Sequence, residues 1–150
     1  MTLAIVYASK TGNTEDLVHL LHELFAEKQI AVSIYPVEEF LISELGRLDA
    51  IVVGTYTWGN GNIPTEMLPL YRAFEHYGGI ELVTGVVGTG DSGYPSFCGA
   101  VDEFRDMLFV QSNLAATLKI EVRHQERDLD RCRKFVDLIV KRVCKKLGTS

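Results

Sequence analysis

The amino-acid sequence predicts an α/β fold of the doubly wound type, built on a five-stranded parallel sheet with helices on both faces. Strand-like and helix-like segments alternate along all 150 residues without a linker, a repeat or a low-complexity stretch, and this alternation is typical of parallel α/β sheets. Several strand segments are almost continuously apolar, as expected for strands that helices cover on both faces. The length and the 47% content of hydrophobic residues favour one domain spanning residues 1–150.

Five segments are predicted to form the strands. They are residues 3–8, 31–35, 50–55, 82–88 and 114–122, and the first, third and fourth have the continuous apolar character of buried parallel strands. No apolar run approaches the ~20 residues that a membrane-spanning helix needs. The N-terminus lacks the basic and apolar regions of a targeting signal, so we expect a soluble, cytoplasmic protein that does not bind membranes.

The helices between the strands are predicted from apolar residues spaced three and four apart. In the first helix these are Leu17, Leu20, Leu21, Leu24 and Phe25, and in the last they are Cys132, Phe135, Val136, Ile139, Val140, Val143 and Leu147. Both rows of side chains are predicted to lie in the core rather than at a cofactor. Cys132 belongs to such a row and is therefore interpreted as a small buried hydrophobe.

The three cysteines of the chain are Cys98, Cys132 and Cys144. Their odd number and wide spacing fit neither a metal site nor a disulfide framework. We therefore expect all three thiols to be reduced.

The net charge of −5 is distributed unevenly along the chain. Residues 1–122 carry sixteen acidic and six basic side chains, whereas residues 123–150 carry four acidic and nine basic ones. Either the basic face of the last helix simply balances an acidic body, or the two parts form a dipole that orients the protein towards a partner. Nucleic-acid binding is not expected, because the basic segment lacks interleaved aromatic residues and the rest is acidic.

A ligand site is expected beyond the carboxyl ends of the strands, where doubly wound sheets bind their ligands. The loop after the first strand contains Ser9, Lys10, Thr11, Gly12, Asn13 and Thr14. Glycine permits a tight turn, the following helix offers unpaired N–H groups, and the hydroxyl groups add donors, which together suit a single phosphate. The alternative is that Asn13 or Thr14 only caps the helix. The spacing of a nucleoside-triphosphate P-loop is absent.

The loop after the third strand contains the only tryptophan of the chain. Its residues are Thr55, Tyr56, Thr57, Trp58, Gly59, Asn60, Gly61 and Asn62, and the segment is too polar to be buried. A lone surface tryptophan is most often a partly covered packing residue. This one is predicted to face the first loop across the point where the strand order switches, so we interpret Trp58 as a binding residue.

The loop after the fourth strand contains two misleading motifs. Residues 88–93 form a literal GxGxxG, but a dinucleotide fingerprint follows the first strand of its βαβ unit rather than the fourth strand. Residues 90–93 resemble the segment around a trypsin-type nucleophile, which needs an oriented His–Asp pair on a β-barrel fold. What remains is a glycine-rich loop whose backbone groups can bind a planar polar ring edge, followed by the aromatic Tyr94.

Taken together and in this order, the three loops resemble those of the flavodoxins, and the resemblance covers essentially the whole chain. Residues 9–14 resemble the family's FMN-phosphate loop, residues 57–59 its inner-aromatic loop, and residues 88–102 its outer-aromatic loop and following helix. The last strand continues without the family's long insertion, which indicates the short-chain type. The chain departs from the pattern at Asn60, Asn62 and Pro95, where acidic residues are common.

The resemblance implies a flavodoxin-like sheet of order 2-1-3-4-5 and a low-potential one-electron carrier with non-covalently bound FMN, rather than an enzyme. The isoalloxazine ring would lie between Trp58 and Tyr94. Expected partners are a flavodoxin or ferredoxin reductase and acceptor redox enzymes, which a monomer meets transiently. No catalytic residue and no metal site are expected. The residues expected to contact FMN are Ser9, Lys10, Thr11, Gly12, Asn13, Thr14, Thr55, Tyr56, Thr57, Trp58, Gly59, Asn60, Thr89, Gly90, Asp91, Tyr94, Phe97 and Cys98.

Two other functions compete with this one. The main alternative is an enzyme-side relative, such as a flavodoxin-like maturation protein of ribonucleotide reductase or a small FMN reductase. A phosphate-dependent signalling receiver is a third reading, but it needs a cluster of acids at the ends of the first and third strands. The residues at those positions are not acidic: they are Tyr7, Ala8 and Ser9 at the end of the first strand and Thr55 and Tyr56 at the end of the third.

Overall fold

Five parallel strands form the sheet, in the order β2-β1-β3-β4-β5. The computed structural model describes residues 1–77, 81–93 and 96–148. The ends of the predicted strands lie within two residues of the observed ones, and the predicted fold and strand order are confirmed. The observed strands are β1 (Leu3–Tyr7), β2 (Val32–Pro36), β3 (Ala50–Tyr56), β4 (Val83–Gly90) and β5 (Asn113–Glu121).

Four α-helices pack on the sheet within the described residues, three of them between consecutive strands and the fourth after β5. Two of them, α1 and α4, cover one face of the sheet, and α2 and α3 cover the other. The strands β1, β3 and β4 are buried along nearly their whole length, which confirms that their continuous apolar runs mark strands covered on both faces. The helices are α1 (Asn13–Glu27), α2 (Leu68–Tyr77), α3 (Gly99–Gln111) and α4 (Leu129–Leu147).

The apolar rows of α1 and α4 pack against the sheet as predicted, with one exception. Leu147 is 42% exposed, so its predicted place in the core is wrong. It is the last residue of α4 before the left-handed Gly148 ends the helix, and a residue at a helix end has helix neighbours on one side only. The confirmed buried residues are Leu17, Leu21, Leu24 and Phe25 in α1 and Cys132, Phe135, Val136, Ile139 and Val143 in α4.

The cysteines behave as the sequence predicts. No disulfide bond joins Cys98, Cys132 and Cys144 within the described residues. Burial raises the pKa of the Cys132 thiol to about 11, so it remains protonated at physiological pH and packs as a small hydrophobe.

The order of the strands brings three loops to one edge of the sheet. Because β1, β3 and β4 are parallel neighbours, the loops that follow their carboxyl ends are adjacent. The strand order switches at β1, since β2 pairs with its other side. No helix of the described ranges combines the length and the apolar character needed to cross a membrane.

Candidate functional site

A cleft of about 590 Å³ lies at the carboxyl edge of the sheet, among the loops that follow β1, β3 and β4. Its size is within the ~300–1,000 Å³ typical of small-molecule sites. All lining residues except Ser96 and Val122 belong to the set predicted from the sequence. The cleft is lined by Lys10, Thr11, Asn13, Tyr56, Thr57, Trp58, Gly59, Asn60, Thr89, Gly90, Asp91, Ser96, Cys98 and Val122.

The loop between β1 and α1 is folded around Ser9 and Gly12. Gly12 is the N-cap of α1 and adopts the left-handed conformation, with φ of 91°, which glycine reaches without steric strain. The Ser9 hydroxyl accepts hydrogen bonds from the N–H of Gly12 at 3.1 Å and of Glu15 at 3.3 Å. The N–H groups of Asn13 and Thr14 lie in the first turn of α1, where the carbonyl four residues earlier is not part of the helix. They therefore have no hydrogen-bond partner within it.

The sequence left open whether this loop binds a phosphate or whether Asn13 or Thr14 only caps the helix. The helix is capped by Gly12, with no side-chain hydrogen bond from the cap, so neither Asn13 nor Thr14 is the capping residue. The loop instead presents the start of α1, with its partial positive charge, to the cleft.

The hydroxyl of Thr14 was predicted to face a ligand, but in the structure it points into the protein. Thr14 is buried, and its Oγ1 lies 2.8 Å from the Oγ1 of Thr89 in a hydrogen bond. Its methyl group faces Gly54 of β3, where the missing side chain leaves room. The hydroxyl of Thr14 therefore ties the first loop to the end of β4, and Thr11 is the threonine of this loop that lines the cleft.

The loop after β3 is a tight hairpin that holds the tryptophan. The N–H of Trp58 donates to the carbonyl of Asn62 at 2.8 Å, and the N–H of Asn62 donates to the carbonyl of Trp58 at 2.7 Å. Between them, Gly59 and Gly61 adopt left-handed conformations, with φ of 55° and 100°. Trp58 is 47% exposed and lines the cleft, so a large aromatic surface is fixed there at the edge of the protein.

The hairpin is anchored on the start of α3 by close backbone packing. A Cβ atom on Gly61 would lie 2.7 Å from the Cβ of Ser96, and one on Gly99 would lie 2.7 Å from the Cα of Gly61. The Oγ1 of Thr57 accepts a hydrogen bond from the N–H of Ala100 at 3.2 Å. Glycine at both positions lets the two backbones meet and brings Ser96 to the cleft.

Gly88 and Gly90, the first two glycines of the GxGxxG segment, allow close packing against neighbouring residues. A Cβ atom on Gly88 would lie 2.3 Å from the Cγ2 of Val101 and 2.6 Å from the carbonyl oxygen of Thr55. A Cβ atom on Gly90 would lie 2.9 Å from the Sγ of Cys98. These glycines allow α3 and the residues before it to approach the sheet closely, which is a different role from that of a dinucleotide fingerprint.

The loop after β4 is described only in part. The carboxylate of Asp91 accepts a hydrogen bond from the N–H of Gly93 at 2.8 Å, and Asp91 reaches the cleft. Tyr94 and Pro95 lie outside the described residues. The second stacking aromatic therefore stays a prediction.

The family of the chain follows from a comparison with known protein families. A family model described as Flavodoxin matches residues 5–135. The chain belongs to the flavodoxin family. It is 35% identical to the "Probable flavodoxin 1" of Bacillus subtilis over 136 residues, covering 87% of this chain and 85% of that protein. It is 37% identical to the "Flavodoxin" of Maridesulfovibrio salexigens over 107 residues, covering 69% of this chain and 73% of that protein.

A solved structure shows the same fold for nearly the whole flavodoxin chain. The flavodoxin of Streptococcus pneumoniae TIGR4 superposes with a TM-score of 0.88 at 29% identity, covering 94% of this chain and 99% of that one. Flavodoxins bind FMN and transfer electrons, so the present chain is an FMN-binding electron carrier and not an enzyme with a substrate of its own. The enzyme-side alternatives are not favoured.

Two cleft residues of this flavodoxin were missed from the predicted set. Ser96 arrives through the Gly61 contact described above. Val122 follows β5 with φ of 56°, and its N–H donates to the carbonyl of Gly90 at 2.7 Å. A β-branched residue is rare in that conformation, so no sequence pattern indicates it.

Five predicted residues support the cleft without lining it. Ser9 and Gly12 shape the first loop, and Thr14 bonds to Thr89. Thr55 is buried in β3, with its hydroxyl donating to the carbonyl of Tyr56 at 2.7 Å. Phe97 lies beneath the ammonium group of Lys119, 6.0 Å from the ring centre.

Two titratable side chains of the flavodoxin cleft, Tyr56 and Cys98, are held in their neutral forms. The hydroxyl of Tyr56 donates to both carboxylate oxygens of Glu66, at 3.1 and 3.0 Å. Burial, followed by this hydrogen bond, raises the pKa of Tyr56 to about 12. Burial also raises the pKa of the Cys98 thiol to about 11. Neither group is a base or a nucleophile at physiological pH, which suits a binding site rather than a catalytic one.

A second cavity, of about 640 Å³, lies near the opposite edge of the sheet. Its walls include Leu45, Leu48, Phe74 and Leu82, and the last of these directly precedes β4. This apolar cavity is slightly larger than the cleft, but the described walls offer neither a helix N-terminus nor an exposed aromatic ring. The chemistry of FMN therefore favours the cleft at the carboxyl edge.

Proposed function

We propose that this flavodoxin is a single-domain, low-potential one-electron carrier that holds FMN in the cleft at the carboxyl edge of its sheet. One observation carries the proposal: the start of α1 and the only tryptophan of the chain open on the same cleft. FMN has a phosphate at one end and a planar ring at the other, so it needs both surfaces together. When bound, the flavin supplies the redox chemistry by gaining and losing electrons one at a time.

The phosphate is proposed to lie on residues 9–14. The N–H groups of Asn13 and Thr14 and the hydroxyl of Thr11 supply donors, and the partial positive charge of α1 favours an anion. Ser9 and Gly12 hold the loop in shape through the hydrogen bond between them. This cradle favours a phosphorylated flavin over an unphosphorylated one, because its donors and the positive end of α1 bind an anion more strongly than a neutral hydroxyl group.

The isoalloxazine ring is proposed to stack on Trp58, with Tyr94 on the opposite face. Stacking of a base on an aromatic side chain contributes ~1–3 kcal/mol per contact. Gly59 is in the left-handed conformation, and glycine allows the peptide between residues 59 and 60 to rotate at little cost in free energy. The carbonyl oxygen of Gly59 can then accept a hydrogen bond from a protonated ring nitrogen of the flavin. The cleft thus orients the ring and can hold a proton on it.

The low potential is proposed to follow from electrostatics. A negative charge on the reduced ring would lie against an indole, near Asp91, in a protein of net charge −5. Such a charge is unfavourable where water is excluded. The protein therefore holds the second electron weakly and passes it on readily.

Stepwise anaerobic reduction of the FMN-loaded protein, followed by absorbance, tests the one-electron character. We expect two resolved one-electron steps, because the cleft treats a neutral and a negatively charged ring differently. A single two-electron step would indicate an FMN reductase instead. Purified protein that neither contains FMN nor takes it up would contradict the proposed site.

Replacing Asn60 by aspartate is expected to lower the second of the two potentials by tens of millivolts. A carboxylate ~10 Å from the ring, at an effective dielectric of ~20–40, opposes the added charge by about 1–2 kcal/mol before salt screening. The first potential should move less, because that step adds no net charge when a proton is also taken up. Potentiometric titration separates the two steps.

Asn62→Asp is the matched control for this change. Asn60 lines the cleft, whereas Asn62 closes the base of the hairpin through its backbone. The two variants carry the same charge, and only the one in the cleft is expected to produce the full shift. Equal shifts in both variants would show that the place of Asn60 in the cleft gives its charge no special effect, and no shift in Asn60→Asp would show that charge in this loop does not set the potential.

We further propose that the monomeric carrier works in the cytoplasm and meets its partners, a flavodoxin or ferredoxin reductase and acceptor redox enzymes, with the cleft edge leading. Because α4 begins after β5 and runs back across the sheet, its last basic residues lie far from the cleft. One basic charge of α4 is neutralised by α1, through Arg133–Glu27 at 2.7 Å, whereas the Lys28–Asp137 pair at 2.6 Å neutralises an acidic residue of α4 and so leaves the helix more basic. The remaining dipole supports an oriented encounter.

The rate of electron transfer with such a partner is expected to depend on ionic strength. Raising the salt from ~0.01 to ~1 M shortens the screening length from ~30 to ~3 Å, which removes long-range steering. Stopped-flow measurement over that range should show a falling bimolecular rate constant for a partner whose docking face is basic. A rate constant that does not change with salt would show that the charge asymmetry does not steer the encounter, and that the basic face of α4 only balances the acidic body.

A further inference from the structure

We propose that Lys10 sets the preference of this flavodoxin for the phosphorylated flavin, by moving its ammonium group from the indole of Trp58 to the FMN phosphate. The Nζ of Lys10 lies 4.0 Å from the centre of the Trp58 ring, and both residues line the cleft. The inference rests on the FMN site proposed above and assigns a role to one side chain within it.

The contact has the geometry of a cation–π interaction. Such interactions form when an ammonium lies within ~6 Å of an aromatic ring centre, and tryptophan is the best acceptor. Lys10 is the only cationic residue among the described lining residues of the cleft. Lys10 takes part in no ion pair with the described residues. Its ammonium group contacts the indole of Trp58 instead.

A flavin ring that stacks on Trp58 competes with the ammonium for the indole. Riboflavin, which has no phosphate, displaces the cation without offering it a new partner. FMN brings a phosphate to the loop that contains Lys10 itself, so the long, flexible lysine side chain can pair with that phosphate instead. Lys10 therefore opposes the stacking of riboflavin and favours FMN.

This role is separable from that of the backbone N–H groups in the same loop. Those groups favour phosphate but do not contact the indole, so they leave riboflavin binding unchanged. Lys10 acts on both ligands with opposite signs. Its removal should therefore strengthen riboflavin binding, which no loss of a phosphate donor would do.

Titration of the flavin-free protein with FMN and with riboflavin tests the proposal, using Lys10→Met and Lys10→Arg. Methionine keeps an unbranched apolar stem without the charge, and arginine keeps the charge. In Lys10→Met the ratio of the riboflavin Kd to the FMN Kd is expected to fall by roughly tenfold or more, with tighter riboflavin binding as one part of that change. In Lys10→Arg the ratio should stay close to that of the wild type.

Acrylamide quenching of the single tryptophan gives a second reading that needs no flavin. Lys10→Ala should make Trp58 more accessible to the quencher than it is in the wild type or in Lys10→Arg. Unchanged quenching would show that the ammonium does not cover the indole, and an unchanged Kd ratio in Lys10→Met would overturn the proposed role. A wild-type protein that binds no FMN would instead overturn the proposed function, and this inference with it.

Discussion

Replacing Thr11 by valine is expected to weaken FMN binding by about ten- to a hundredfold and to leave riboflavin binding almost unchanged. Thr11 lines the cleft within the proposed phosphate loop, and valine keeps its shape but removes the hydroxyl. A hydrogen bond to a charged group contributes about 1.5–3 kcal/mol, which is one to two decades in affinity. Titrating the flavin-free protein with both ligands measures the two effects separately.

Thr14→Val is the comparison that shows whether the loop acts through its cleft-facing hydroxyl. The Thr14 hydroxyl is buried against Thr89, so its loss leaves a buried hydroxyl without its partner and lowers the free energy of unfolding by about 1–3 kcal/mol. Its effect on FMN and riboflavin should be alike, because it loosens the contact between two loops of the cleft. A phosphate-selective loss at Thr14, or none at Thr11, would contradict this assignment.

Replacing Gly88 by alanine is expected to destabilise the protein strongly, because there is no room for a side chain at this position. The added methyl group would lie 2.3 Å from a side-chain carbon of Val101 and 2.6 Å from the backbone oxygen of Thr55. Thr55 is the strand partner of Gly88 in the β3–β4 pair, so the oxygen cannot withdraw without disturbing the sheet. Overpacking of this kind costs about 1–3 kcal/mol and occasionally more.

Urea or thermal unfolding of the flavin-free protein measures this loss, with Gly46→Ala as the control. A Cβ atom on Gly46 would meet nothing within 4 Å, and its backbone lies outside the left-handed region. For a chain of this size, 1 kcal/mol corresponds to a change in Tm of roughly 2–4 °C. Equal losses at the two glycines would show that the contact of Gly88 with Val101 and Thr55 is not limiting.

Much of the fold could be predicted because its signals are local. Buried parallel strands are continuous apolar runs, and helices that cover a sheet carry apolar residues three and four apart. Those patterns located all five strands to within two residues. Leu147 was wrongly predicted to be buried. The apolar spacing of α4 continues to the last residue of the helix, but burial of that residue requires another element to pack against it.

The site could be predicted at the level of loops, because glycine, hydroxyl and aromatic residues cluster where strands end. The orientation of individual side chains could not. Thr14 turns inward because α1 begins at Asn13, and one residue of difference in that start would change which threonine faces the cleft. Val122 reaches the cleft through a rare backbone conformation, and the contact of Lys10 with Trp58 joins two separate loops. Such features arise from tertiary packing, which spacing does not encode.

FMN is proposed to occupy the cleft with its phosphate on residues 9–14 and its ring on Trp58. Two-dimensional 15N–1H NMR of the flavin-free protein, titrated with FMN and with riboflavin, tests this most directly. FMN is predicted to shift the backbone amide signals of Thr11, Gly12 and Asn13 together with the indole N–H of Trp58. Riboflavin is predicted to shift the indole and to leave those amides nearly in place. Equal amide shifts with both ligands, or FMN shifts confined to residues 42–48 around the apolar cavity, would contradict the account.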